Sequence, residues 1–297
     1  MSDLKKTERF IVSGISLPIK ASRDDAFGKA EKALLKFFSG DEILSYNISR
    51  RSVDARKKSD IRFVYSVSAD VRSNKLYDVA ALAASKIIKV ADSSIEAKHG
   101  TEKLCGRPVV VGFGPGGMFC AYILAKYGYR PIVIERGSDI KKRMADVARF
   151  KNEQILDPES NIQFGAGGAG TFSDGKLMTR INDNLCSFVI ETFHKLGAPE
   201  NILYEAKPHI GTDYLVGVVD NMLKELISLG ADVYFDTKMN GICESFGKVN
   251  KLRTSSGEIE CGALVLALGH SARDTVTELR NDNLRVIPKA FSVGVRI

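Results

Sequence analysis

The chain has 297 residues, 44% of them hydrophobic and 27% charged, with 43 Lys and Arg against 36 Asp and Glu for a net charge of +7. This is the composition of a soluble globular protein with room for about two domains, and it excludes a disordered or fibrous chain. No uncharged apolar run approaches the ~20 residues of a membrane span, and the opening Met-Ser-Asp-Leu-Lys-Lys has no signal-peptide core.

In the first third, Phe10–Ile15 reads as a strand. Ser22–Phe38 reads as an amphipathic helix capped by Ser22, with Ala26, Ala30, Leu34 and Phe37 or Phe38 on one face. Glu42–Ile48 and Ile61–Val71 alternate apolar and polar residues as strands do, and Tyr77–Val90 is helical in spacing. The order β-α-β-β-α predicts a small ferredoxin-like α/β module over residues 1–100. It is also the basic part of the chain, with 19 Lys and Arg against 13 Asp and Glu, where residues 101–297 hold 24 against 23. Its Arg50–Lys58 hairpin precedes a strand carrying Phe63 and Tyr65. Basic side chains beside paired aromatics are what a sheet-based RNA reader uses, but a solvated turn beside a core-facing aromatic pair is the commoner arrangement and the preferred reading. Residues 91–107 are polar and read as a linker.

Beyond it, Val109-Val-Val-Gly-Phe-Gly-Pro-Gly-Gly-Met118 is followed by a helix-forming stretch and by Pro131-Ile-Val-Ile-Glu135. A buried strand, a glycine turn, a helix and a second strand ending in a carboxylate form a dinucleotide site. Gly112 permits the tight turn, Gly114 leaves room for a pyrophosphate, and Gly117 lets the helix approach the sheet. Pro115 and Gly116 suit the first helical turn, whose amides face the phosphates. Glu135, 23 residues after Gly112, is placed to accept hydrogen bonds from a ribose. Its carboxylate would repel a 2′-phosphate, a preference that the adjacent Arg136 moderates.

A charged helix (Asp139–Asn152) leads to a second glycine-rich loop, Phe164–Lys176. Gly165 to Thr171 holds four glycines and two alanines in seven positions, a bare backbone suited to close approach of a ring or a phosphate. Ser173, Asp174 and Lys176 follow as polar groups at its rim. Helices are predicted at Leu185–Leu196 and Asp213–Leu229, a strand at Ala231–Asp236, and then an antiparallel meander turning at Phe246–Lys248 and Ser255–Gly257. Ala263–Gly269 is a strand ending in glycine, where open α/β sheets present backbone to ligands. Ala290–Ile297 reads as a strand that stops without a cap, from which the natural protein is expected to be longer. His209 and His270 lie in loops near sheet edges as acid–base candidates, whereas His99 and His194 read as inert. The five cysteines, Cys105, Cys120, Cys186, Cys243 and Cys261, form no C-x-x-C. This favours a reducing cytoplasm and argues against a disulfide framework, a disulfide reductase or a metal site.

Val109–Glu135 resembles the FAD-binding unit of the glutathione-reductase-like flavoproteins. Asn161–Leu177, Lys207-Pro-His-Ile-Gly-Thr-Asp213, Gly269–Asp274, Pro288–Ile297 and Ser52–Lys58 together are similar to a bacterial family of largely uncharacterised FAD-dependent dehydrogenases. The resemblance implies a Rossmann-like FAD-binding domain over 101–297, with a meander inserted in it and a substrate region only partly contained. It implies FAD as cofactor, with Gly112, Gly114 and Gly117 around the pyrophosphate and Glu135 on the ribose. Gly167, Gly168, Ala169, Gly170, Thr171, Asp174, Gly175 and Lys176 would lie near the phosphates or flavin. Backbone at Lys238 and Met239 would approach adenine, and Gly269 would pass the cofactor from the other side. Family members continue past Ile297 into a substrate region and a final glycine-containing element. Hydride transfer through the flavin is the implied chemistry, with a small-molecule substrate and with NAD(P)H as a transient partner. Two other readings stay open: a flavin-dependent RNA-modifying enzyme that uses the basic module, and a non-catalytic FAD-binding module.

Overall fold

The computed structural model describes residues 7–90, 100–173, 175–179, 181, 183–290 and 294. In chain order the elements are β1 (Thr7–Pro18), α1 (Arg23–Leu34), β2 (Ile43–Asp54), β3 (Arg62–Arg72), α2 (Val79–Ala84) and β4 (Ile87–Val90). Then follow β5 (Pro108–Val111), α3 (Pro115–Lys126), β6 (Ile132–Ile134), α4 (Ile140–Glu153), α5 (Asn184–Lys195) and α6 (Thr212–Ser228). The last are β7 (Asp232–Tyr234), β8 (Met239–Ser245), β9 (Lys248–Thr254), β10 (Gly257–Glu260), β11 (Ala263–Leu266) and α7 (Arg273–Asn281). The expected terminal strand, Ala290–Ile297, falls almost wholly outside the described residues. Among them, no helix is long and apolar enough to cross a membrane.

The chain forms two compact units, one of Met1–Lys98 with Lys176–Ile210 and the other of His99–Gly175 with Gly211–Ile297. The first unit therefore takes in a later segment that a division near residue 100 assigns elsewhere. Backbone pairing is the reason. The Arg51 N–H donates to the Tyr204 carbonyl and the Ala206 N–H to the Arg51 carbonyl (2.9 Å), so residues 204–206 run along the free edge of β2. The Arg51 guanidinium meets the Glu205 carboxylate and lies over the rings of Phe63 and Tyr204.

In this unit the sheet order is β2-β3-β1-β4, with every neighbouring pair antiparallel. Ser22 and Asp25 cap α1 reciprocally. Ala26, Ala30 and Leu34 on α1 pack with Phe38 onto Phe10, Val12, Val67, Ala69 and Val71, small side chains bringing the helix close to the sheet. Tyr65 is buried in that core and Phe63 packs against it, while Arg56, Lys57 and Lys58 are exposed and Arg56 pairs with Asp54. The expected helix over Tyr77–Val90 is corrected: it ends at Ala84, Lys86 takes a left-handed conformation, and Ile87–Val90 forms β4 against β1. Unfilled hydrogen bonds on the edge of β1 and the β-branched Ile-Ile-Lys-Val outweigh the helical spacing there.

Glu42 is buried beneath this module. It accepts hydrogen bonds from the Ser39 N–H (2.7 Å), the Ser73 hydroxyl (2.7 Å) and Lys75 (3.0 Å). These bonds, the Ser39 amide first, lower its pKa from 4.5 to about 2. A carboxylate depressed on folding adds stability above the unfolded-state value and loses it as pH falls toward the folded one. The Glu42→Gln variant is therefore expected to unfold at a less acidic pH than wild type, its deficit complete above pH 4.5 and vanishing toward pH 2. Acid titration followed by circular dichroism measures this, and coincident curves would contradict it.

In the second unit, β11-β5-β6-β7 form a parallel sheet. Residues 109–111 of β5 are buried valines, as a central parallel strand demands. The meander β8-β9-β10 is antiparallel, and its Met239, Ile242 and Leu252 join Leu279 of α7 and Val109, Val111 and Ile134 of the parallel sheet in one core.

Candidate functional site

Between β5 and α3 the glycines divide by what surrounds them. Gly112 takes φ +105°, where a Cβ would overlap the Ala267 carbonyl, and a Cβ at Gly117 would overlap the Gly112 carbonyl. These two close the turn against β11 and seat the helix. Gly114 instead caps α3 at φ −80°, with no side chain bonded to the first-turn amides and proline at the next position. A Cβ at Gly114 would stand 3.7 Å from the Cα of Gly168, and nothing lies within 4 Å of one at Gly116, Gly170 or Gly269. All four open on a cavity of about 420 Å³.

The structure brings most of the sequence-predicted residues to this cavity. Gly112, Gly114, Pro115, Gly116, Glu135, Arg136, Gly168, Ala169, Gly170, Lys238, Met239, Gly269 and His270 line it. Gly117, Gly167, Thr171 and Gly175 do not: Gly117 packs on Gly112, Gly167 on Thr171 and Val219, and Thr171 and Gly175 are buried. Asp174 lies outside the described residues. Lys176 and His209 belong to the first unit, where they pair in an antiparallel bridge and the Leu177 N–H donates to the Pro208 carbonyl (2.9 Å). Among the acid–base candidates, His270 lines the cavity within its own unit. Its Nε2 is 3.3 Å from the Ser271 hydroxyl, which donates to Gln163 (3.0 Å).

Glu135 has a second occupation that its spacing does not reveal. It is buried, and Oε2 accepts from the Phe113 N–H (2.8 Å) while Oε1 accepts from the Gly137 and Gly165 N–H groups (2.9 Å each). One carboxylate thus ties the first glycine turn to the second. Sequence reasoning missed the group on the other side, Arg143. Fully buried on α4, it donates to the carbonyls of Asn161 (3.0 Å), Ile162 (3.0 Å), Gly165 (3.3 Å), Ala166 (2.5 Å) and Gly168 (2.9 Å). Its guanidinium lies 4.8 Å from the Phe172 ring centroid. Burial pulls its pKa down to about 10 and the Glu135 charge opposes that, so it is a cation at neutral pH. The signal for it was available, since Arg143 falls in the stripe of Ile140 and Val147, where α4 is buried.

Four further charges gather at the cavity wall. Arg136 stacks 4.0 Å above the Phe164 ring and forks onto Asp274 with two 2.9 Å bonds, and its Nε reaches Glu159 at 2.8 Å. Lys238 bridges the same carboxylates, at 2.7 Å to Asp274 and 3.3 Å to Glu159. The Arg136 bonds hold Asp274 far below the usual carboxylate range. Both cations that reach the cavity are therefore partnered. Among the described residues, no group of three or more His, Cys, Asp and Glu side chains could hold a metal.

Residues 12–70, from β1 into β3, match a family model described as a domain of unknown function, DUF8436. An uncharacterized protein of Clostridium beijerinckii (strain ATCC 51743 / NCIMB 8052) is 46% identical over 282 residues, covering 94% of this chain and 53% of that protein. The chain thus spans about half the length of the curated relative it matches. Solved structures similar to it include THI4 of Thermovibrio ammonificans, at 18% identity and a TM-score of 0.39 over 61% of this chain and 64% of that one. Glycine oxidase of Bacillus cereus ATCC 14579 is 16% identical with a TM-score of 0.36, covering 55% of each chain. L-proline dehydrogenase of P. horikoshii is 16% identical with a TM-score of 0.32, over 57% of this chain and 54% of that one. Likenesses this distant carry no argument about activity.

Proposed function

We propose that the chain is the nucleotide-binding part of a FAD-dependent oxidoreductase, joining a Rossmann-like FAD domain to a ferredoxin-like module. One observation carries the reading: two glycine turns meet at Gly114 and Gly168 beside the uncapped start of α3, and four glycines there leave open the space a side chain would fill. A pyrophosphate needs that combination of bare backbone and unpaired amides. Gly114, Gly116 and the Gly168–Gly170 backbone would hold the phosphates. Glu135 accepts three N–H groups of the roughly four donors a carboxylate can take, which leaves capacity for a ribose hydroxyl. Arg136 and Lys238, spent on Asp274 and Glu159, have little to offer a further phosphate on that ribose, which favours FAD over NADP. Bound FAD supplies hydride transfer, with the chain's residues orienting it and excluding water.

The purified protein is expected to show flavin absorption near about 370 and 450 nm, as bound or after FAD is added. A colourless protein that takes up no FAD would sink the proposal. Anaerobic addition of NADH and of NADPH then tests each as electron donor. Phe63 and Tyr65 pack in the first unit's core, so an RNA-binding role would rest on the exposed Arg56, Lys57 and Lys58 without that aromatic pair.

A further inference from the structure

We infer that Arg143 is a positioning residue for the pyrophosphate, acting through the second glycine turn; this rests on the FAD reading above. A trans peptide unit sends its C=O and its N–H to opposite sides. The Gly168 carbonyl accepts from the buried guanidinium (2.9 Å) and from the Thr171 N–H (3.2 Å), so the N–H of Ala169, in the same peptide unit, is directed to the opposite side. Ala169 lines the cavity, and its N–H has no protein acceptor among the described residues. The amides just before it are occupied: Gly167 donates to Phe113 (2.8 Å) and Gly168 to Gly165 (3.0 Å). The loop therefore presents the amides of Ala169 and Gly170, the second likewise without a protein acceptor among the described residues, beside the point where Gly168 meets Gly114 at the start of α3.

Desolvating a guanidinium that no carboxylate bonds directly is costly, and an apolar side chain would fill the same space more cheaply. What an apolar side chain cannot do is orient several peptide units at once. The rigid five-donor fork does so here, and Glu135 holds the Gly165 N–H from the opposite side. Arg143 thus shapes the anion-binding side of the loop without touching the ligand.

The test is FAD titration together with ³¹P NMR of the bound pyrophosphate, on wild type, Arg143→Lys and Ala169→Pro. Lysine keeps the charge but cannot serve the fork's set of acceptors. Its FAD affinity is expected to fall about 10- to 100-fold, the range for groups that orient a binding shell from behind, and the phosphorus resonances should shift. Ala169→Pro deletes one of the two presented N–H groups with Arg143 intact, at the first residue of a 3₁₀ turn (Ala169–Phe172) that suits proline's φ, and is expected to give the same two changes. A purely structural role would lower stability without moving the phosphorus signals of the fraction that binds. If Arg143→Lys does not fold, Ala169→Pro decides. Wild-type affinity with unshifted phosphorus in either variant overturns the role and leaves FAD binding intact. A wild type that binds no FAD overturns both.

Discussion

Gly114→Val is expected to leave the protein folded and to lower its FAD affinity at least about 100-fold, ~2.7 kcal/mol. Gly114 has an ordinary negative φ, and its Cβ would make only van der Waals contact with Gly168. Valine is a poor N-cap, but replacing glycine there costs the helix only about 1 kcal/mol. Its methyl groups would stand in the cavity where α3 begins and exclude a pyrophosphate. Gly117→Ala should behave in the opposite way. Its Cβ would overlap the Gly112 carbonyl, so α3 must shift, at a cost of about 3 kcal/mol. The pair separates a glycine kept for a ligand from one kept for packing. Thermal unfolding and FAD titration on both variants read the difference, and a Gly114→Val protein that stays loaded with flavin would refute the phosphate assignment.

Glu135→Gln is expected to destabilise the second unit by about 3–5 kcal/mol, although it is nearly isosteric. The carboxylate receives N–H groups on both oxygens, two on Oε1 and one on Oε2. Either orientation of a glutamine amide points its NH₂ at one of those donors and leaves a buried N–H unsatisfied. The change also removes the negative charge that supports buried Arg143. Urea unfolding in the absence of FAD isolates this effect from any ribose contact. A variant as stable as wild type would mean that the two glycine turns do not depend on the carboxylate.

Local chemistry made much of the chain legible. Val109–Glu135 folds as its pattern predicts because each step is decided within a few residues: β-branched strand, glycine turn, proline-started helix, second strand. The meander was readable for the same reason, through alternation and glycine turns. Where the reading failed, a distant partner had decided the outcome. Ile87–Val90 is helical by spacing but becomes a strand because β1 offers it an edge 75 or more residues earlier. The pairing of residues 204–206 with Arg51, about 150 positions earlier, is likewise recorded in no local pattern.

The amino-acid sequence by itself determined that a glycine turn, a helix and an acid stand in the order a dinucleotide needs. It could not disclose what the acid and the second loop do for each other. Only the tertiary structure decided that Glu135 ties Phe113, Gly137 and Gly165 together, and that Arg143 gathers five carbonyls from the other side. Those bonds join residues up to 30 positions apart, and no local pattern records them. Their physical basis is burial: away from water every polar group needs a partner, and which partner it finds is settled only when the chain has folded around it.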